Sequence, residues 1–149
     1  MKTLIKLLLF YFLTSCSSGN SGNSEFKLCS GMKRPYYYPT LEYKGNFYKI
    51  KSHFFNNYKT IQLPNNNGIV KIRFNINCKG ETGNFFINTY SLNYKNITMN
   101  KEITEQLLNL TKGLKNWIPA RNEESENINS HKFFAFKIIK GVLIDILPK

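Results

Sequence analysis

The sequence predicts an α+β domain: a small antiparallel sheet of three to four strands with two helices packed on it. Three observations predict it. From Val70 to Ile76 apolar and polar residues alternate, the period of a strand with one buried face. Between Asn100 and Lys115 the residues Ile103, Leu107, Leu110 and Leu114 recur at helical spacing, while Lys101, Glu102, Glu105 and Lys112 face outward. Near the end, Lys140-Gly141 separates two β-rich runs at the distance of a hairpin turn.

The chain begins with Lys2 and Lys6 around a short apolar run, residues 7–13. That run is too short to span a membrane, which takes about 20 residues, and reads as a cleaved export signal over residues 1–15. Leu13-Thr14-Ser15-Cys16 resembles the bacterial lipobox, in which the cysteine is acylated and becomes the first mature residue. Cys16 is therefore the expected lipidation site, and two or more acyl chains would hold the protein on a membrane. Residues 17–24 are Ser, Gly and Asn alone, which cannot bury apolar surface. We expect a flexible tether over residues 16–31. Ser17, in place of aspartate, resembles lipoproteins sorted to the outer membrane. No acidic run follows Cys16, a run that in Bacteroidetes-type lipoproteins accompanies export to the cell surface, so the periplasmic face is expected.

Residues 32–149 are assigned to a single domain, too short for two cores. Tyr36-Tyr37-Tyr38 lie between Pro35 and Pro39 and read as an extended arm. These tyrosines offer either a stacking surface for sugar or peptide, or core and edge packing, and packing is preferred because small domains need the buried area. A helix follows, with Phe47, Ile50 or Lys51, Phe54 and Tyr58 on one face, Gly45-Asn46 before it and Pro64 after it. The alternating strand spans residues 67–77, with Val70, Ile72, Phe74 and Ile76 buried. After a turn at Cys78-Lys79-Gly80-Glu81 comes a second strand, residues 83–92. Asn100 caps the leucine-rich helix. Trp117-Ile118-Pro119-Ala120 closes it, with Trp117 expected in the core. Residues 121–127 read as an acidic surface loop, and residues 131–139 and 142–147 as the closing hairpin, stopped by Pro148.

Gly68-x-Val70-x-Ile72-x-Phe74-x-Ile76-Asn77, the Lys79-Gly80 turn, the second strand, the leucine-rich helix and Trp117-Ile118-Pro119-Ala120 together resemble the carboxy-terminal domain of the TonB family. The resemblance covers residues 68–148. It implies a helix before the first strand, packed on the sheet, and a mode of binding in which a short segment of an outer-membrane receptor is added as a strand. Carried onto this chain, the partner-binding residues are Phe134, Phe136, Ile138, Val142 and Ile144. The sequence departs from the family at residues 121–127, where many members have a glycine-centred turn. The energy-transducing role is not implied, because it needs an inner-membrane helix and a long proline-rich spacer.

The formal charge is +12, and without Lys2 and Lys6 there remain 19 basic against 9 acidic residues. Such a balance suits nucleic acid in general, but an exported chain with no basic recognition helix does not meet it. Anionic lipid, lipopolysaccharide or an acidic partner fits better, beside the plainer reading of scattered surface lysines. With Cys16 acylated, Cys29 and Cys78 remain, either bridged or free in an oxidising compartment. His53, His131 and these cysteines lack zinc-type spacing. No nucleophile with a base, paired carboxylates or phosphate loop is visible, and Asp145 stands alone in an apolar strand. The expectation is a non-enzymatic lipoprotein without cofactor or metal, contacting an envelope protein partner. The alternative is an envelope glycan or lipid binder that uses the aromatic arm and the basic surface.

Overall fold

The computed structural model describes residues 25–30, 33–34 and 41–148. The expectations for the export signal, for Cys16 and for Tyr36-Tyr37-Tyr38 lie outside the described residues. In chain order the elements are β1 (Lys33–Arg34), β2 (Glu42–Tyr43), α1 (Asn46–Asn57), β3 (Gly68–Ile76), β4 (Thr82–Tyr90), α2 (Lys101–Lys112), β5 (Trp117–Ile118), β6 (Ala120–Arg121), β7 (Asn127–Ile139) and β8 (Val142–Leu147).

Alternation along β3 sets the centre of the sheet. Val70, Ile72, Phe74 and Ile76 are fully or almost fully buried, and antiparallel pairing sets Val70 beside Phe136 and Ile72 beside Phe134 of β7. Cross-strand neighbours share a face, so Phe134, Phe136 and Ile138 join the same core. The sheet runs β1-β7-β3-β4, with β6 and β8 also paired to β7, and β2 pairs separately with β5. All of these pairings are antiparallel except β1 with β7. Class and helix number match the expectation, but the sheet exceeds three to four strands. The additions β1 and β6 are two-residue strands against residues 127–130 of β7, too short to show a period. They also explain why β7 starts at Asn127 and not at residue 131.

Both helices lie on one face of the sheet. In α1 the buried residues are Ile50 and Phe54, one helical turn apart, so the choice between Ile50 and Lys51 falls to Ile50. Phe54 contacts Phe134 and Phe136, with ring centroids 5.7 and 4.7 Å apart. In α2 the Asn100 Oδ1 accepts the Glu102 N–H at 2.9 Å, the expected N-cap. Ile103, Leu107 and Leu114 are buried, whereas Leu110 is only partly so. Thr111 is fully buried on the inner stripe, its hydroxyl donating to the Leu107 carbonyl at 2.7 Å.

The acidic stretch after Ala120 turns without a glycine. Asn122 Oδ1 accepts the Glu126 N–H at 2.8 Å, and Ser125 takes the left-handed conformation at φ 65°. An Asn side chain that mimics a backbone turn does the work a glycine does elsewhere. Lys140 and Gly141, at φ 49° and 75°, form the two-residue hairpin turn whose twist suits the flanking strands.

Within residues 16–31, expected as a tether, the described residues 25–30 make defined contacts. Residues 25–30 lie on the domain, held through the half-buried Phe26 and Cys29, while Leu28 stays exposed. Cys29 and Cys78 form a disulfide with Cα atoms 6.0 Å apart. Asn129 holds the same residue from the other side, its Oδ1 accepting the Cys29 N–H at 2.9 Å and its Nδ2 donating to the Cys29 carbonyl at 2.7 Å. Asn77 Nδ2 donates to the Lys27 carbonyl at 3.0 Å, and Phe26 sits where a side chain at Gly83 would be.

Candidate functional site

Two surfaces of the sheet offer chemistry to a partner: the outer edge of β8 and the face turned away from the helices. On β8 the pairs Lys137 with Asp145 and Ile138 with Leu143 leave Ile144 as an extra residue, a bulge. Leu143 and Ile146 point into the core, while Val142, Ile144 and Leu147 are 40, 46 and 49% exposed. The turn before β8 is tied down. The Gly141 carbonyl accepts the Ile61 N–H at 3.2 Å and the Tyr58 hydroxyl at 3.0 Å, while the Gly141 N–H donates to the Asn66 carbonyl at 2.8 Å. Burial there pushes the Tyr58 phenol up to about 12.

The five residues expected to bind a partner therefore divide. Val142 and Ile144 stand exposed along the β8 edge. Phe134, Phe136 and Ile138 are fully buried, so their side chains serve the core and are not offered outward. The reason is pleating: alternate residues of a strand face opposite sides, and on β7 the apolar set faces the helices.

The opposite face of the sheet follows from the same pleating. Its register reads in rows: Tyr90, Ile69, Lys137 and Asp145; then Asn88, Lys71, Ala135 and Leu147; then Phe86, Arg73 and Phe133; then Gly83, Asn75 and His131. Lys71 Nζ lies 4.5 Å from the Phe133 ring centroid and Arg73 Cζ 5.9 Å from that of Phe86. Arg73 Nη2 also reaches Asn88 Oδ1 at 3.4 Å. Phe86 is 58% exposed. A depression of about 350 Å³ lies beside it, lined by Arg73, Asn75, Asn84, Phe86 and His131. Sequence reasoning passed over this face, although the signal was present in the pairs Phe85-Phe86 and Phe133-Phe134. Adjacent residues of a strand face opposite sides, so each pair must send one phenylalanine outward.

His53 and Asp145 have structural partners. His53 Nε2 lies 2.9 Å from the Leu110 carbonyl, joining α1 to α2. Asp145 Oδ1 accepts the Ile146 N–H at 2.9 Å. Lys132, beside Phe47 and Ile50, has its ammonium pKa lowered by burial. Among the described residues no group of three His, Cys, Asp or Glu side chains is placed to hold a metal ion. Comparison with protein-family models, with curated proteins and with solved structures finds no match to this chain.

Proposed function

We propose that this chain is a lipid-anchored envelope protein, held on the periplasmic face of the outer membrane through Cys16, whose TonB-like domain docks a protein partner by strand addition. The observation that carries the reading is the outer edge of β8, which pairs with no other strand among the described residues and presents Val142, Ile144 and Leu147. An edge of this kind offers main-chain donors and acceptors to an incoming segment. Displacement of β8 is the costlier route, since it would expose Leu143 and Ile146 and break the bonds at Gly141. The bulge at Ile144 limits the regular edge, so the added strand is short. Supporting the same reading are the lipobox-like residues 13–16 and the order hairpin, helix, tryptophan, hairpin.

Metabolic labelling with a fatty-acid analogue is expected to mark the wild type and not Cys16→Ala. In the lipidated protein, a photoreactive residue at Leu147 is expected to give an adduct of one mass in native envelopes. That adduct is lost in the Val142→Lys, Ile144→Lys double variant, because charges on an edge strand oppose pairing. An adduct that survives both lysines overturns edge docking, and absence of label on wild type overturns the anchor.

A further inference from the structure

The face of the sheet away from the helices carries charge and aromatic surface in a fixed order. Lys71, Arg73 and Lys137 stand on it, with the Asp145 carboxylate at its β8 margin. Each of the two central cations is set against a ring, Lys71 with Phe133 and Arg73 with Phe86. A cation held beside a ring is oriented and partly stripped of water, so it is ready for an anion. Arg73 is steered further by Asn88, which leaves other guanidinium N–H groups for a planar carboxylate.

From this arrangement we infer that the face around Arg73 and Phe86 binds an acidic polysaccharide, a chain of sugar rings that bear carboxylates. Phe86 supplies the flat apolar surface on which the C–H face of a sugar ring stacks. Asn84, in the adjoining depression, and Asn88, in the next row, supply carboxamides for hydroxyls. Arg73 and Phe86 lie side by side in one row of the sheet and are both exposed, so one sugar ring can stack on Phe86 while its carboxylate meets Arg73. The depression lies on the sheet beside Phe86 and is open to solvent, which suits a polymer laid across it. Aromatic and basic surfaces also bind single-stranded nucleic acid, but the Cys29–Cys78 disulfide suits an oxidising compartment, so the oligonucleotide is kept as an outcome of the test. The inference does not depend on edge docking, since its contacts are Lys71 and Arg73 on β3 and Phe86 on β4.

The test is a titration of the full chain with polygalacturonate at low and raised ionic strength, alongside its methyl ester, a single-stranded DNA oligonucleotide and vesicles containing phosphatidylglycerol. Polygalacturonate is expected to bind about tenfold more tightly than the uncharged ester, the scale of one charge-assisted contact. Arg73→Gln and Phe86→Ala each weaken it by about fivefold to tenfold with the urea midpoint retained, since both side chains are exposed. Lys101→Gln, on an 85% exposed α2 side chain, leaves binding unchanged. Equal loss in Lys101→Gln means bulk charge alone and overturns the inference. So does tighter binding of the oligonucleotide or the vesicles, or no binding of polygalacturonate.

Discussion

Replacing Trp117, the one tryptophan of the chain, separates packing from hydrogen bonding at the centre of the fold. Trp117 is 6% exposed, with its ring centroid 5.0 Å from Tyr43, 5.6 Å from Phe74 and 6.3 Å from Phe134. Trp117→Ala empties a space bounded by three aromatic rings that are themselves held by the sheet and cannot collapse into it, so the cost is about 3 to 5 kcal/mol. Trp117→Phe behaves differently. The indole Nε1 is buried without an acceptor among the described residues, and an unpaired buried donor costs about 1 to 3 kcal/mol. Phenylalanine removes that donor and keeps a ring against Phe74, so the net loss is about 1 kcal/mol or less. With a urea slope of about 1 to 3 kcal/mol per molar, the alanine variant unfolds roughly 2 M earlier and the phenylalanine variant within about 0.5 M of wild type. The assay is urea unfolding followed by circular dichroism, because both variants lose the fluorophore. An unchanged midpoint for Trp117→Ala refutes the core assignment, and equal losses for the two variants refute the role given to the N–H.

Serine at both Cys29 and Cys78, 49 residues apart, is expected to cost about 4 kcal/mol in loop-closure entropy; a double variant as stable as wild type in urea counts against it. Tyr58 gives a pH dependence. Its phenol rises from 10.0 to about 12 through burial, so the folded state keeps a proton that the unfolded state gives up. The stability it contributes is fully present below about 10 and is lost as the pH climbs through about 12. Tyr58→Phe should lower stability by about 1 kcal/mol at neutral pH, through the lost bond to Gly141, and flatten the alkaline fall of the urea midpoint. An alkaline fall as steep as in wild type would show that Tyr58 is not its source.

What could be read in advance depended on whether a residue's role is local. Val70 to Ile76 declare a strand by their own alternation, Asn100 declares a cap by its position before a periodic run, and Lys140-Gly141 declare a tight turn by the left-handed conformation it requires. Residues 33–34 and 120–121 declare nothing, since two residues have no period and their strand character exists only through β7. The docking of residues 25–30 was hidden for a related reason. Asn77 and Asn129 hold that segment with carboxamides, and asparagine is so abundant here that no single one stands out. The open face was legible in part, because Lys71 and Arg73 are the polar half of the alternation that located the core. The row that joins Arg73 to both Phe86 and Phe133 needed the register of three strands.

The Cys29–Cys78 bridge also decides how the domain carries mechanical load. Without it, a pull on the N-terminal segment would meet the side-chain bonds of residues 27–29 to Asn77 and Asn129 and then β1, a two-residue strand at the margin of the sheet, and open them one after another. With it, the pull passes through Cys78 to the end of β3, the strand flanked on both sides by long partners. Tension along that strand stretches its bonds to β4 and β7 together, in shear. A rank of bonds strained at once resists far more force than the same bonds opened in turn, so the domain holds against traction at the end where the chain enters it.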